Sequence, residues 1–241
     1  MAYCFTDFTH HGDFNTLGIG VDTGQWIMDD IGTSVSSGSI VSLVNPNGLL
    51  IIDAGTAAST GIQLFQYGTN GVNADGTGAK LFLQDTGFNN VTFAWEARVK
   101  SPDVSLGTSV VGQVVDTFPA IGTDGVMIVT DGLYFHCATT GVITATAERG
   151  SNITNGTVVG TMEDDVFITL GMRGRTADVT SDTAEQWVEV YINGVRTEVL
   201  QDATNGVVPT AELHNYFAAV NAAGPYDFEV DYIWTAYPRI A

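Results

Sequence analysis

Two acidic side chains, Glu229 and Asp231, stand two residues apart in an alternating run of polar and apolar residues. Successive side chains of a strand point to opposite faces, so both carboxylates share one face. Hydrolysis of a glycosidic bond with retention needs two carboxyl groups about 5–5.5 Å apart, so a strand that carries carboxylates is the first place to test for catalysis. We interpret the pair instead as the solvent face of a strand. The core-facing side chains of that strand would be Phe228, Val230, Tyr232 and Trp234.

Neighbouring aspartates offer the oxygen ligands that calcium prefers. The candidates are Asp29 with Asp30, and Asp164 with Asp165. An aspartate in a turn also accepts hydrogen bonds from its own backbone, and we favour that interpretation. The sequence therefore predicts no firm metal site and no cofactor, with calcium as the remaining candidate.

The histidines and cysteines do not form a recognisable site. His10 and His11 are adjacent, and an extended chain points adjacent side chains in opposite directions. No histidine spacing matches a zinc pattern, and the motifs for phosphate, dinucleotide or serine chemistry are absent from the sequence. Cys4 and Cys137 are far apart, and we expect free thiols.

The charge balance excludes two classes of partner. The chain has 241 residues, with 27 acidic and 8 basic side chains and a net charge of −19. A phosphate backbone or an anionic membrane surface would be repelled, because binding to either needs clustered lysine and arginine. We therefore expect neither nucleic acid nor membrane as a partner.

A strand, an Asn-Gly turn and a returning strand are predicted over Gln186–Val199, because Asn193 and Gly194 tolerate the positive φ of a tight hairpin. Val91–Lys100 alternates with period two, which predicts a half-buried strand with Phe93 and Trp95 in the core. A second hairpin is predicted across Asp131 and Gly132. Further strands are predicted at 25–28, 39–44, 49–53, 62–67, 80–84, 126–130, 133–138, 142–148, 166–173, 216–221 and 226–237.

Many short strands with frequent turn residues predict an all-β, two-sheet antiparallel sandwich over residues 25–241. Residues 1–24 lack any period and are expected to form an extended N-terminal arm. Residues 147–160 are rich in glycine, asparagine and threonine, and we expect an exposed loop there. A short helical turn is expected at 210–214.

Three segments resemble strands of the concanavalin A-like or laminin-G-like jelly roll: Val91–Lys100, Trp187–Gly194 and Asp227–Trp234. The resemblance covers about residues 37–238. It implies a jelly-roll fold and several functions found in that superfamily, among them lectins, glucanases, carbohydrate-binding modules and domains of phage virion proteins. Jelly-roll glucanases carry Glu-x-Asp-x-x-Glu on a strand, and by this resemblance Glu229 would be the nucleophile. Trp234 stands where those enzymes have their acid/base carboxyl, so we expect no enzymatic activity.

The surface composition, rich in glycine, threonine, asparagine and serine, is typical of an extracellular protein, yet no secretory signal is recognisable at the N-terminus. A virion protein fits both observations, because it folds in the host cytoplasm and then works on the particle exterior. The leading hypothesis is a capsid decoration or cement protein of a tailed phage, bound to the capsid protein across subunit seams. The alternative is a carbohydrate-binding, lectin-like or host-adhesion module.

The N-terminal arm suggests assembly. It contains four aromatic side chains, Tyr3, Phe5, Phe8 and Phe14, which would form an exposed apolar patch in an isolated monomer. We expect them to contact another chain in a homo-oligomer, with a trimer as the first expectation. The alternative is that the arm packs along its own sandwich as an extra edge strand.

Overall fold

The structure, a computed structural model, describes residues 10–12, 26–32, 41–43, 49–66, 92–115, 120–150, 152–175, 186–202, 204, 206–209 and 213–236. Fifteen strands form two antiparallel sheets within these residues. Sheet A contains β1 (His10–Gly12), β3 (Val41–Leu43), β4 (Leu50–Asp53), β6 (Thr92–Lys100), β11 (Ile168–Arg175), β12 (Trp187–Ile192), β13 (Val195–Leu200) and β15 (Asp227–Ala236). Sheet B contains β2 (Trp26–Ile31), β5 (Gly61–Gln66), β7 (Gly107–Val115), β8 (Gly132–Cys137), β9 (Val142–Arg149), β10 (Asn152–Thr161) and β14 (Leu213–Asn221).

The strand order of sheet A is β13-β12-β11-β6-β15-β4-β3, and β1 also pairs with β15. The order of sheet B is β10-β9-β8-β7-β14-β5-β2. The predicted all-β sandwich of two antiparallel sheets is confirmed. The only helical element among the described residues is a 3₁₀ turn at Val104–Leu106, in which the Asp103 side chain accepts a hydrogen bond from the amide of Ser105.

The main core lies between the inner faces of the sheets. Phe93 and Trp95 of β6 are 1% and 2% exposed, as the alternation in that segment predicted. The Asn193–Gly194 turn joins β12 to β13 with φ values of 50° and 77°, which is the positive-φ geometry that this dipeptide favours. The side chain of Asn193 also accepts a hydrogen bond of 2.9 Å from the amide of Thr169, which ties the turn to the start of β11.

Several local predictions were wrong. Residues 126–130 form no strand; residues 120–131 are a loop, named here the covering loop, with one isolated bridge between Ile121 and Met127. The Asp131–Gly132 pair makes no hairpin turn, because Gly132 is already the first residue of β8. Residues 152–161 form the edge strand β10 instead of a loop. His214 lies buried in β14 and not in a helical turn.

The predicted strand at 80–84 and the aromatic residues Tyr3, Phe5, Phe8 and Phe14 lie outside the described residues. Within the predicted arm, residues 10–12 pair with residues 233–235 of β15. This pairing is the extra-strand arrangement that was the alternative to contact with another chain. The boundary at residue 24 stays a prediction.

Candidate functional site

The outer face of sheet B is covered where β7, β14 and β5 lie side by side. Val110, Val114 and Tyr216 project outward there and pack against Ile121 and Val129 of the covering loop. All five side chains are buried. The covering loop thus forms a second small core on this face, and these three strands offer no open surface to a ligand.

Polar contacts hold the covering loop at its first residue and at its tip. The amide of Ala120 donates a hydrogen bond of 3.1 Å to Oε1 of Gln63, which also accepts from the hydroxyl of Tyr216. At the tip of the loop, Nε2 of His136 lies 3.2 Å from the carbonyl oxygen of Gly125. Burial lowers the pKa of His136, and the hydrogen bond to Gly125 opposes this effect only in part. The loop is therefore a packed part of the fold.

In sheet A, a β-bulge in β15 decides which side chains of that strand reach the outer face. Val230 pairs with Val99 and Tyr232 pairs with Arg98, so Asp231 is one extra residue in β15. An extra residue shifts the alternation of every side chain that follows it. Phe228 and Val230 face the core, as predicted, whereas after the bulge Ile233 and Thr235 are the buried side chains. The prediction that Tyr232 and Trp234 face the core was therefore wrong: both are partly exposed on the outer side.

Aromatic side chains are concentrated on the outer face of sheet A. We name this surface, around Trp187, Tyr191, Tyr232 and Trp234, the aromatic face. The ladder places Tyr191 beside Gly171, Gly171 beside Glu96, and Glu96 beside Trp234. A side chain added at Gly171 would meet the Cβ of Tyr191 at 3.4 Å and the Cγ of Glu96 at 4.0 Å. The absence of a side chain at Gly171 therefore leaves open space on the surface between Tyr191 and Glu96.

Glu189 is the centre of a polar network on the aromatic face. Its carboxylate accepts hydrogen bonds of 2.7 Å from the hydroxyl of Tyr191 and from Arg196, and lies 3.8 Å from Arg173. Arg173 also stands over the ring of Trp187, 5.7 Å from its centroid. Burial disfavours the ionised carboxylate, but the hydrogen bonds and the two guanidinium charges outweigh it, so the pKa of Glu189 is lowered. This carboxylate is thus ionised and an acceptor at neutral pH.

Glu96 occupies the middle of the aromatic face. The hydroxyl of Tyr232 donates a hydrogen bond of 2.6 Å to its Oε1. Burial, with the contribution of the Glu96 carboxylate, raises the pKa of Tyr232 to about 12, so the phenol keeps its proton and remains a donor. Among the described residues, Oε2 of Glu96 accepts no hydrogen bond. The second oxygen is therefore a ready acceptor for a hydroxyl group.

The two carboxylates first considered for catalysis are each paired with a cation. Asp231 lies 2.6 Å from Arg98, and Glu229 lies 3.0 Å from Lys100. Lys100 also contacts Asp165 at 2.7 Å, and these contacts raise its pKa against the opposing effect of burial. Glu229 and Asp231 therefore act as ion-pair partners on the outer side of sheet A, where the side chain of Asp231 is 29% exposed and that of Glu229, at 12%, is largely covered.

The four aspartates predicted as calcium candidates fall into two groups. Asp164 and Asp165 bind other groups of the protein, and at Asp29 and Asp30 only the backbone is described. Oδ1 of Asp164 accepts a hydrogen bond of 2.9 Å from the amide of Val104, and Asp165 holds Lys100. Asp29 and Asp30 belong to β2. In the described part of the chain, no three His, Cys, Asp or Glu side chains group in a way that could hold a metal ion.

Cys137 is a free, buried thiol on the inner face of β8, and burial raises its pKa to about 11. Cys4 lies outside the described residues. Over the ranges that the structure covers, no helix has the length and apolarity to span a membrane.

The sequence contained one signal for the aromatic face that the prediction did not use. Trp187, Glu189 and Tyr191 alternate with Val188 and Val190 in β12. The valines are the core side of this strand, so the other three side chains must share the outer side. The sequence contained no comparable signal for Tyr232 and Trp234 of β15, because their outward position depends on the bulge at Asp231.

Similar folds occur among solved structures of carbohydrate-active and carbohydrate-recognising proteins. One, from a study of endo-acting O-glycanases of the human gut microbiota that initiate mucin breakdown, has a TM-score of 0.59 at 12% identity, over 95% of this chain and 99% of that one. The carbohydrate recognition domain of Emp47p has a TM-score of 0.56 at 14% identity, over 96% and 98%. SCLam, a non-specific endo-β-1,3(4)-glucanase of family GH16, has a TM-score of 0.53 at 15% identity, over 97% and 91%.

The carbohydrate recognition domain of Emp46p, solved in a potassium-bound form, has a TM-score of 0.51 at 12% identity, over 88% of each chain. No family model matches this chain, and the search of curated proteins found no match. Identities this low carry the fold alone. The strand topology and these likenesses together show that the chain has an antiparallel two-sheet jelly-roll fold, which a carbohydrate recognition domain and a glucanase among these structures share.

Proposed function

We propose that this protein is a non-enzymatic, lectin-like carbohydrate-binding module that binds an oligosaccharide on the aromatic face. The observation that carries the proposal is the row Tyr191–Gly171–Glu96–Trp234, which sets an acceptor carboxylate between two partly exposed aromatic side chains. A sugar ring has an apolar C–H face and a rim of hydroxyl groups. Aromatic rings bind the former and carboxylates the latter, so this row offers both kinds of contact.

The dimensions of the row suit a short oligosaccharide. Tyr191 belongs to β12 and Trp234 to β15, and these strands are three neighbours apart in sheet A. Three strand spacings of about 4.8 Å give about 14 Å between the two positions, roughly the length of a trisaccharide. Glu189 extends the acceptor groups along β12 towards Trp187. A ligand lying across the strands would therefore meet aromatic and carboxylate groups in turn.

The carbohydrate recognition domains and glycosidases among the similar structures support this proposal over the capsid hypothesis. Trp234 stands where jelly-roll glucanases have their acid/base carboxyl, which supports a binding function over hydrolysis. The ion pairs of Glu229 with Lys100 and of Asp231 with Arg98 give both carboxylates a structural role. A host-adhesion module is one setting in which such binding would be used. The capsid partner, the virion location and the trimer stay predictions, and the described residues do not bear on them.

The test is binding of the full chain to a broad array of oligosaccharides, followed by calorimetry with each ligand found. Trp234→Ala and Tyr191→Ala should each weaken binding about tenfold or more, which corresponds to ~1.4 kcal/mol. The matched control is Ile128→Ala, which truncates a side chain of the covering loop that is 52% exposed and lies in the other sheet layer. An array without any ligand, or a ligand whose affinity neither variant changes, would refute the proposal.

A further inference from the structure

The few cations of this protein are concentrated on sheet A. Five of the eight lysine and arginine residues belong to three of its strands. They are Arg98, Lys100, Arg173, Arg175 and Arg196. In a chain with a net charge of −19, this layer therefore offers an anionic ligand most of the cations found among the described residues.

Two cations of the aromatic face, Arg173 and Arg196, share one anionic partner. Arg196 contacts Glu189 at 2.7 Å, and Arg173 shares the same carboxylate. Arg173 also stacks over the ring of Trp187. One carboxylate thus lies between these two guanidinium groups, and an anionic ligand would compete with it for both.

The same arrangement recurs on the β6–β15 side of the sheet. Arg98 pairs with Asp231 at 2.6 Å, and Lys100 lies between Asp165 and Glu229 at 2.7 and 3.0 Å. Arg98 also lies over the ring of Phe167, 4.4 Å from its centroid. A glycan carboxylate or sulfate would have to displace a protein carboxylate from each cation that it used.

We infer that the aromatic face selects neutral oligosaccharides and discriminates against uronic-acid and sulfated ones. This inference rests on the proposed function. A neutral ligand uses the hydroxyl acceptors at Glu96 and Glu189 and the aromatic rings without disturbing any ion pair. An anionic ligand meets paired cations, acceptor carboxylates and the negative field of the whole molecule, and each of these opposes binding.

The experiment compares neutral oligosaccharides with uronate-containing and sulfated oligosaccharides of the same length, by calorimetry at two salt concentrations. We expect neutral ligands to bind at least about tenfold more tightly than their anionic counterparts, with little dependence on salt. Tighter binding of the anionic ligands, or equal affinity for the two classes of ligand at low salt, would overturn the inference while leaving glycan binding intact. If no oligosaccharide binds, the proposed function and the inference both fail.

Substitution of a carboxylate that pairs with one of these cations provides an independent test. Glu189→Gln leaves Arg173 and Arg196 without their shared anion, and should raise the ratio of anionic to neutral affinity about fivefold. Asp231→Asn, which releases the partly exposed Arg98, is the second variant and should act in the same direction. Glu163→Gln is the matched control, since this exposed residue follows β10 and changes the net charge equally. A ratio that rises no more in Glu189→Gln and Asp231→Asn than in the control would overturn the inference.

Discussion

Nε1 of Trp95 donates a hydrogen bond of 3.0 Å to Oδ1 of Asn215, and this contact joins β6 of sheet A to β14 of sheet B through the middle of the core. The same oxygen accepts from Nε2 of Gln113 at 3.2 Å and from the hydroxyl of Thr235 at 3.4 Å. One buried amide oxygen therefore satisfies donors from both sheets. Buried donors of this kind are costly when they lose their acceptor.

Replacement of the two partners should be strongly non-additive. Trp95→Ala should lower the free energy of unfolding by about 3–5 kcal/mol, the usual cost of deleting a large buried aromatic side chain. Asn215→Leu should cost more than a simple loss of one hydrogen bond, because three donors lose their acceptor. When Trp95→Phe is combined with Asn215→Leu, one of those donors is removed as well, so the double variant should be more stable than the sum of the effects of Trp95→Phe alone and Asn215→Leu alone. Urea unfolding of the parent, these two single variants and the double variant measures this, and strict additivity would contradict it.

The bulge at Asp231 can be tested by comparing a substitution with a deletion. Asp231→Ala breaks an ion pair whose side chains are 42% and 29% exposed, so it should cost only about 0–1 kcal/mol. Deletion of Asp231 would remove the extra residue and turn Tyr232 and Trp234 towards the core in place of Ile233 and Thr235. We expect this deletion to abolish cooperative thermal unfolding. A deletion variant that melts like Asp231→Ala would show that the strand register tolerates the change.

The carboxylates of Glu189 and Glu148 should contribute to the stability of the fold with opposite dependence on pH. The folded-state pKa of Glu189 lies below its ordinary value of 4.5, so its stabilising effect is present above that pH and is lost as the pH falls through the lower folded-state value. Glu189→Gln should therefore be less stable than the parent protein at neutral pH. The difference should narrow in acid. Urea unfolding as a function of pH measures both effects.

Glu148 is the counterpart in sheet B. Burial raises its pKa above the ordinary 4.5, the hydrogen bond from Tyr134 opposes this rise, and the charge of Asp131 adds to it. Ionisation of Glu148 thus opposes folding at neutral pH, and the cost disappears as the pH falls below the unfolded-state value. Glu148→Gln should be more stable than the parent at pH 7 and equal to it in strong acid. A destabilised Glu148→Gln at neutral pH would contradict the assigned direction.

Acid should loosen the tip of the covering loop before it unfolds the sandwich. The folded-state pKa of His136 is below its ordinary value of 6.5, so stability is lost as the pH falls from that value through the folded-state pKa. Opening of the covering loop at Gly125 would expose the ring to water and relieve the cost of protonation. Amide exchange of residues 126–129, corrected for its intrinsic pH dependence, should therefore rise between about pH 7 and pH 5. In His136→Gln, which retains a donor but does not titrate, this rise should be absent.

Local chemistry made part of the fold predictable from the sequence. The Asn193–Gly194 turn depends on the φ preferences of its own two residues. The burial of Phe93 and Trp95 follows from an unbroken alternation along β6. Such features require no knowledge of which strand lies next to which, and they were predicted correctly.

Other features depend on contacts that the sequence does not reveal. The side chains of residues 126–129 alternate between exposed and covered positions because the covering loop packs on sheet B: Val126 and Ile128 are 57% and 52% exposed. A packed loop therefore produced the sequence pattern of a strand. Edge strand β10 has an exposed side and lacks an apolar period: its Val158 is 64% exposed. The bulge at Asp231 changes the side of two aromatic residues without changing the pattern that precedes it. Because of this one extra residue, Tyr232 and Trp234 lie on the aromatic face instead of in the core.

The position of β6 in the centre of sheet A has a consequence for the order of folding. Both of its neighbours come much later in the chain: β6 ends at Lys100, whereas β11 begins at Ile168 and β15 at Asp227. Closing such long loops costs entropy before any contact compensates for it, which makes folding through non-local strand pairs slow. On the ribosome, the central ladder cannot be completed until β15 has emerged. Trp234 and Glu96 therefore become neighbours only after more than a hundred intervening residues have been synthesised, and a nascent chain lacking β15 would leave one edge of β6 unpaired.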